Sequence, residues 1–320
     1  MSKKPDSLKQ LVINAWHDIK DPSDRLDVVR QLQSLIDAKA MENDLSLQSL
    51  ESEQVDKVHT NHWISQGDIL SDHLKTPSDV DLVFTSPPYN ADIDYDVYDD
   101  DKTLEKYLDF LTTAFKQIDL AVRPGGRVVI NIRDIAVGTG ERYPIIVHFY
   151  NHLCGILGYK YRGLHIWYKG REESSFAWGS YRSSKNPAII DLYEWIFVFQ
   201  KDGEHQHSED DIDKTEFIES VIGVWKIRPV KKIFAGKVNK LGHPCPFPVE
   251  LARRVIKLYS CVGDTVFDPF AGVGNTAIAA AQSGRNSISL DISQTYVDIA
   301  KAQFRKIVSS DIFGASQLNE

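Results

Sequence analysis

The chain has 320 residues, 42% of them hydrophobic and 26% charged, which suits an ordinary globular protein of one large domain or two smaller ones. No apolar run approaches the roughly 18 to 20 residues of a membrane span, and the polar start at Met1 to Asp6 carries no signal-peptide core. Cys154, Cys245 and Cys261 are widely separated and lack metal-ligand spacing, so a reducing, cytoplasmic setting without a disulfide framework or metal site is expected, while the net charge of −8 argues mildly against nucleic acid as a partner.

Residues 1–57 read as a helical extension. Leu8, Leu11, Val12, Ala15, Trp16 and Ile19 recur at helical spacing. Asp21-Pro22 then suits an N-cap followed by proline in the first turn of a second helix carrying Leu26, Val29, Leu32 and Ile36. Met41 to Lys57 is rich in Ser, Glu and Gln and reads as a linker or a loose third helix. Packing is the expected role of this region.

Residues 58–320 form the second unit. Ile64 to Asp68 resembles a strand end that turns through Gly67 into an acid. Asp81 to Phe84 is a short, mostly apolar run that continues through Thr85 into Ser86, Pro87, Pro88, Tyr89 and Asn90. Neither proline can donate to a ladder, so the strand stops abruptly and a stiff loop follows at its carboxyl end. Leu104, Tyr107, Leu108, Leu111, Phe115, Ile118 and Val122 mark an amphipathic helix closed by Arg123-Pro-Gly-Gly126, and Arg127 to Ile132 is the next buried strand. Ile145, Ile146, Phe149, Leu153 and Ile156 predict another helix, ended by Gly158. Tyr161 to Tyr168 and Tyr193 to Phe199 are strand-like. Strands alternating with helices predict an α/β fold.

From Asp202 to Gly242 an acidic and then a basic stretch breaks this rhythm and reads as an insertion. Lys226, Arg228, Lys231, Lys232, Lys237 and Lys240 fall in its second half with no acid among them. Such a stripe can follow a phosphate backbone, or it can be a solvated loop. Pro248 to Tyr259 is a helix with Leu251, Val255, Ile256 and Tyr259 inward, and Asp264 to Phe267 is a strand. Asp268-Pro-Phe270-Ala-Gly272-Val-Gly274-Asn275-Thr276 is a glycine-rich turn opening a helix, and Asn286 to Leu290 is a strand ending at Asp291.

The two strand-end loops carry the chemistry. Ser86 to Tyr89 offers a hydroxyl, a rigid carbonyl and a flat ring, parts that suit a planar amine-bearing group. Gly272 and Gly274 let the backbone approach a ligand, and Asp291 is placed to accept from ribose hydroxyls. The spacing also matches a dinucleotide site. An acid just before the turn, however, repels a pyrophosphate and attracts a cation, which suits the sulfonium and ammonium groups of S-adenosylmethionine better than NAD.

Thr85-Ser-Pro-Pro-Tyr-Asn90 together with Phe267-Asp-Pro-Phe-Ala-Gly-Val-Gly-Asn-Thr276 resembles the DNA amino-methyltransferases, and most closely the β group, whose catalytic motif precedes the cofactor motif. The resemblance covers about residues 60–308 and includes His243-Pro-Cys-Pro-Phe247-Pro248, Trp178 to Tyr181, Asn186-Pro187 and Glu194 to Lys201. It implies a Rossmann-like, seven-stranded, mostly parallel sheet, circularly permuted so that the chain enters at the third strand. It further implies S-adenosylmethionine as cofactor, with Asp68 near its adenine, Phe247 beside its methionine part, and Asp268, Phe270, Gly272, Gly274, Asn275, Thr276 and Asp291 completing the site.

On the same resemblance Ser86, Pro87, Pro88 and Tyr89 are the catalytic set. The Ser86 hydroxyl and Pro87 carbonyl would draw on the amine hydrogens and Tyr89 would stack on a base flipped out of the duplex. Family members with Ser in the first position mostly methylate N4 of cytosine, so cytosine is the expected base and adenine N6 the alternative. The insertion at about 202–242 is the expected target-recognition region. Double-stranded DNA is the implied partner, a cognate restriction endonuclease and a second copy of the chain are candidate partners, and a prokaryotic or phage setting is implied. The N-terminal helices then add dimerisation or a peripheral DNA contact to their expected packing role. An RNA methyltransferase, a non-catalytic DNA-binding module and a nicotinamide dehydrogenase are the competing readings. Pro244-Cys245 resembles the nucleophile of enzymes that methylate carbon-5 of cytosine, but amine methylation needs no covalent intermediate and Cys245 is read as structural. His243 is read as shaping the cofactor pocket. Trp178 and Tyr181 suit either base stacking or core packing.

Overall fold

The computed structural model describes residues 59–71, 77–91, 93, 95–136, 141–170, 180–204, 208, 210–230, 246–308 and 316–319. The expected helical extension over residues 1–57 lies outside these.

The central strand is β2 (Val80–Thr85), buried at every position. Its side chains alternate between two apolar layers: Val83 belongs to the cluster that holds Leu111, Phe115 and Ile118, while Leu82 and Phe84 belong to the one that holds Leu251 and Val255. A strand covered on both faces cannot alternate apolar with polar, which explains its unbroken apolar reading. The first layer is supplied by helix α1 (Leu104–Ala121), whose buried stripe is Tyr107, Leu111, Ala114, Phe115, Ile118 and Ala121. Helix α4 (Val249–Tyr259) supplies the second with Leu251, Ala252, Val255 and Ile256.

Among the described residues the main sheet has nine strands. In spatial order they are β11 (Ser316–Asn319), β1 (Thr60–Gln66), β10 (Asn286–Asp291), β9 (Thr265–Asp268), β2, β3 (Val122–Ile132), β7 (Tyr193–Gln200), β6 (Lys160–Tyr168) and β8 (Val224–Lys226). Only β7 runs against the rest, since it pairs antiparallel with both β3 and β6 while every other ladder is parallel. The two strands late in the sequence, β9 and β10, lie between β1 and β2, so the middle of the sheet is assembled from both ends of the described chain. The expected sheet had seven strands; nine are present because the short β8 and β11 extend its two edges. A separate two-stranded ladder joins β4 (Ile135–Ala136) to β5 (Arg142–Tyr143).

Two local expectations differ. Arg123 to Gly126 was expected to separate helix from strand, yet α1 passes at Val122 directly into β3. The pairing shifts from Val80 with Val122 to Leu82 with Arg127, so the Pro-Gly-Gly residues form an irregularity inside the ladder. A Cβ on Gly126 would come within 3.0 Å of the Val80 carbonyl oxygen. Secondly, α2 (Ile145–Phe149) continues as a π-helical turn over Tyr150–Ile156. The Leu157 amide bonds five residues back to the His152 carbonyl, and the slipped phase turns Ile156 outward to 70% exposure rather than into the core.

The expected insertion at about 202–242 is described in part. Its described part is built into the α/β domain through α3 (Lys214–Val221) and edge strand β8. Trp225 is buried, donates to the Ser220 carbonyl at 3.0 Å and stacks on His165 with centroids 4.2 Å apart. Glu216 of α3 binds Arg253 and Lys257 of α4 at 2.5 and 2.6 Å. The buried indole, these ion pairs and the ladder to β6 together attach this stretch to the domain. The remaining helices are α5 (Asn275–Gln282) and α6 (Gln294–Val308). Among the described residues no helix is long and apolar enough to cross a membrane.

Candidate active site

Because β2 and β9 are hydrogen-bonded neighbours, the loops leaving their carboxyl ends lie side by side. A cavity of about 370 Å³ opens there, at the sheet edge where open α/β sheets carry ligands. Ser86, Pro88 and Tyr89 line it from the first loop, Phe270, Gly272 and Asn275 from the second, Asp68 follows β1, Asp291 ends β10, and Phe247 precedes α4. Two motifs about 180 residues apart in sequence thus face one cavity. Pro87 is buried and does not line it, and the Pro88 carbonyl accepts from Tyr107 Oη at 2.5 Å.

Three expected cofactor residues stand behind the wall. Asp268 was expected to present its charge to the ligand, but its carboxylate is wholly buried. Its Oδ1 accepts from Thr85 Oγ1 at 2.7 Å and from the Phe270 amide at 3.2 Å, and its Oδ2 accepts from Thr276 Oγ1 at 2.6 Å. Burial pushes its pKa up to about 6 against the lowering effect of those donors. Asp268 therefore clasps the two loops together, holding Thr85 before the first and Thr276 at the end of the second. Gly274 is also behind the wall. With φ of +81° it precedes α5 in left-handed conformation, and a Cβ there would lie 2.9 Å from the Ala300 Cβ. Helix α6 packs against the turn at that point, so the glycine serves a close approach between elements.

At the cavity edge, Asp291 accepts from the Gly272 amide through Oδ2 at 2.8 Å and from the Ser293 amide through Oδ1 at 2.9 Å. Burial raises its pKa, and each oxygen retains a lone pair. Asn275 Nδ2 donates to the Phe247 carbonyl at 2.6 Å, which ties the start of α5 to the segment before α4. The acid-rich stretch before α1 has a structural centre in Asp100, whose carboxylate accepts from the amides of Asn90, Ala91 and Ile93. The aromatic side chains of Tyr95, Tyr98, Phe110 and Tyr296, not anticipated from motifs, complete the apolar walls.

Behind the Ser86–Tyr89 loop lies a buried polar cluster that sequence reasoning missed. Tyr89 Oη donates to Glu194 Oε2 at 2.8 Å, and Ser86 Oγ donates to Tyr89 Oη at 2.9 Å. Asn131 Nδ2 reaches both Tyr89 Oη at 2.8 Å and Glu194 Oε2 at 2.7 Å, and Lys169 pairs with Glu194 Oε1. Glu194 arrives because β7 is reversed, which brings its amino-terminal end to the edge where the other strands end. The available signals were an acid near the start of the apolar Tyr193–Gln200 strand and an amide inside Val128–Ile132.

Of the expected basic stripe, Lys226 and Arg228 are exposed, alternating with the buried Trp225 and Ile227. Strand β8 parallels β6, so both residues fall at the same sheet edge as the cavity. Lys231, Lys232, Lys237 and Lys240 lie outside the described residues, as do Trp178, His243 and Cys245. Tyr181 is 72% exposed, which removes core packing from its two readings.

Comparison with known proteins agrees with this architecture. Residues 80–302 match the sequence profile of the family described as DNA methylase (N6_N4_Mtase). The Type II methyltransferase M.MthZI of Methanothermobacter thermautotrophicus is 29% identical over 259 residues, spanning 71% of this chain and 72% of that protein. The putative DNA modification methylase TTHA0409 of Thermus thermophilus, solved in complex with S-adenosyl-L-methionine, superposes with a TM-score of 0.60 at 27% identity, over 82% of this chain and 98% of that one. The PvuII DNA methyltransferase (cytosine-N4-specific) shares the fold, with a TM-score of 0.56 at 19% identity over 82% of this chain and 97% of that one.

Proposed function

This chain belongs to the DNA methylase family, and from that membership we propose that it transfers a methyl group from S-adenosylmethionine to the exocyclic N4 amine of a cytosine flipped out of double-stranded DNA. The observation that carries the reading is the meeting of the Ser86–Tyr89 loop and the Phe270–Asn275 turn in one cavity.

The cavity suits the cofactor electrostatically. Its charged lining is Asp68, Asp99 and Asp291 against Lys102, whose ammonium is already engaged with the Asp99 carbonyl and the Tyr98 ring. An acceptor-rich, largely apolar cavity favours a cationic ligand with hydroxyl groups and disfavours a pyrophosphate. On this reading Asp291 holds the ribose hydroxyls, Asp68 lies towards the adenine, Phe247 and Phe270 give apolar contact, and Asn275 steadies Phe247 through its carbonyl. Asp268, Gly274 and Thr276 support these groups from behind. Bound S-adenosylmethionine supplies an electrophilic methyl group on a sulfonium.

The chain's own task is to make a poor nucleophile competent. The lone pair of an exocyclic amine is delocalised into the base, and an acceptor at its hydrogens localises it on nitrogen. Ser86 Oγ supplies that acceptor, Tyr89 and Pro88 give faces for the extruded ring, and fixed dipoles do the rest by positioning. Extrusion costs about a few kcal/mol, recovered from contacts in the cavity. A hydroxyl rather than a carboxylate at Ser86 is what favours cytosine over adenine. Lys226 and Arg228 extend the site towards phosphates. Likeness to Type II methyltransferases supports a restriction-modification role with a nuclease reading the same site.

Mass spectrometry of nucleosides from DNA treated with the purified protein tests the proposal. N4-methylcytosine is expected; N6-methyladenine without N4-methylcytosine would overturn the choice of base.

A further inference from the structure

We propose that Glu194 is a positioning residue for methyl transfer: acting through the Tyr89 hydroxyl, it commits the Ser86 proton to the protein interior and leaves Ser86 Oγ as an acceptor alone towards the target amine. The inference rests on the reading of the site as an amine methyltransferase and assigns a role outside the Ser-Pro-Pro-Tyr motif.

The direction of each hydrogen bond follows from counting protons. Glu194 is 5% exposed and carries Lys169 on Oε1, so its charge is paired where it is buried. An ionised carboxylate only accepts, and Tyr89 Oη at 2.8 Å must therefore donate to Oε2. The phenol has one proton and has now spent it. Asn131 Nδ2, 2.8 Å from the same oxygen, is a donor as well. Ser86 Oγ, 2.9 Å from Tyr89 Oη, has no role left there except to donate. Asn131 Nδ2 also approaches Ser86 Oγ, at 3.5 Å, and takes at most one of its two lone pairs, so an acceptor remains for whatever enters the cavity that Ser86 lines. Burial, with the Glu194 charge adding to it, holds the Tyr89 pKa well above its ordinary value, so the phenol keeps its proton and the chain keeps its direction.

The arrangement answers a difficulty peculiar to serine. A hydroxyl is a rotor that can donate as readily as it accepts, and a donor aimed at an amine hydrogen is unproductive. A serine locked from behind by a carboxylate two hydrogen bonds away presents the acceptor lone pairs that a carboxylate at the same position would present by itself.

The test uses the full chain with substitutions Glu194→Gln, Tyr89→Phe and both together. Single-turnover transfer of tritiated methyl from S-adenosylmethionine to unmodified double-stranded DNA is measured at saturation, alongside cofactor affinity by calorimetry and KM for DNA. Each single substitution is expected to slow transfer by about tenfold to hundredfold. Cofactor affinity and KM are expected to stay within about twofold, and the double substitution to be no slower than the worse single one. Glu194→Gln transferring at the wild-type rate, or losses that multiply in the double variant, would overturn the proposal. Should Glu194→Gln lose cofactor binding through misfolding, Tyr89→Phe is compared in Ser86 and Ser86→Ala backgrounds. The expected result is that its effect on the transfer step disappears once Ser86 is alanine, and an undiminished effect refutes the proposal. Wild-type protein that methylates no DNA amine would instead overturn the functional reading beneath it.

Discussion

Thr85 and Thr276 are held by one carboxylate: both donate to Asp268, Thr85 from 183 residues earlier in the chain at 2.7 Å and Thr276 from the next helix at 2.6 Å. The residue before the Ser-Pro-Pro-Tyr loop and the second residue of α5 are thereby fixed to the end of β9. The distance between the proposed cofactor turn and the proposed target loop is thus set by a buried group that touches neither ligand.

This clasp has a pH signature. The Asp268 pKa rises from 3.8 to about 6 on folding, chiefly through burial, so the folded state binds the proton more tightly than the unfolded state. The stability contributed by protonation is fully present below pH 3.8 and is lost as pH rises through about 6, a change of about 3 kcal/mol. Asp268→Asn should remove that slope. Urea unfolding of both proteins at several pH values from 4 to 7 checks it; parallel curves would refute the assignment.

His62 has the opposite sign. It is buried on β1 between Ser287 Oγ at 2.8 Å and Thr60 Oγ1 at 2.9 Å, and burial lowers its pKa from 6.5 to about 4. Its neutral form is the folded form, so stability is complete above pH 6.5 and falls by roughly 3 kcal/mol as pH drops through about 4. His62→Gln should be less stable at pH 8, through loss of the ring contact with Phe304, yet less acid-sensitive. Thermal melts across pH 4 to 8 would show the two curves converging on acidification.

Gly274→Ala meets both a positive φ of 81° and a Cβ contact of 2.9 Å with Ala300. A destabilisation of about 1 to 3 kcal/mol is expected, with weakened binding of S-adenosylmethionine because the turn must shift. Denaturant midpoints and calorimetric titration measure the two effects. An unchanged midpoint would mean that α6 yields freely at this contact.

Lys226 and Arg228 are exposed at the end of β8, and the phosphate-contact reading predicts a salt effect. Replacing either by alanine should lower the slope of log affinity for duplex DNA against log salt by about 0.9, with the same loss for unrelated duplexes. Fluorescence anisotropy over a salt series gives the slope, and an unchanged value would place both residues outside the interface.

Much of the molecule was legible because its signals are local. An apolar run ended by Pro87-Pro88 and a Gly272-Val-Gly274 turn between strand and helix each depend on the conformational limits of a few adjacent residues. The same holds for α1 and α4, whose apolar periodicity declared which face would be buried. Resemblance added the permuted order, in which β10 and β9 lie between β1 and β2. The least legible region was Asp202 to Gly242. Its acidic and then basic composition suggested an insertion and gave no sign that Trp225 and the Glu216 ion pairs join part of it to the core.

By itself the sequence determined that two chemically loaded loops exist, that each sits at the end of a strand, and that an acid precedes the glycine turn. It did not determine where that acid points. Asp268 turned inward because Thr85 and Thr276 offered hydroxyl donors from elements that only sheet assembly makes adjacent. Glu194 and Asn131 reached Tyr89 because β3 and the reversed β7 pair across the catalytic end of the sheet. A buried hydrogen bond across 105 residues leaves no periodicity or spacing in the chain, since it is set by strand order and by the cost of leaving a buried polar group without a partner.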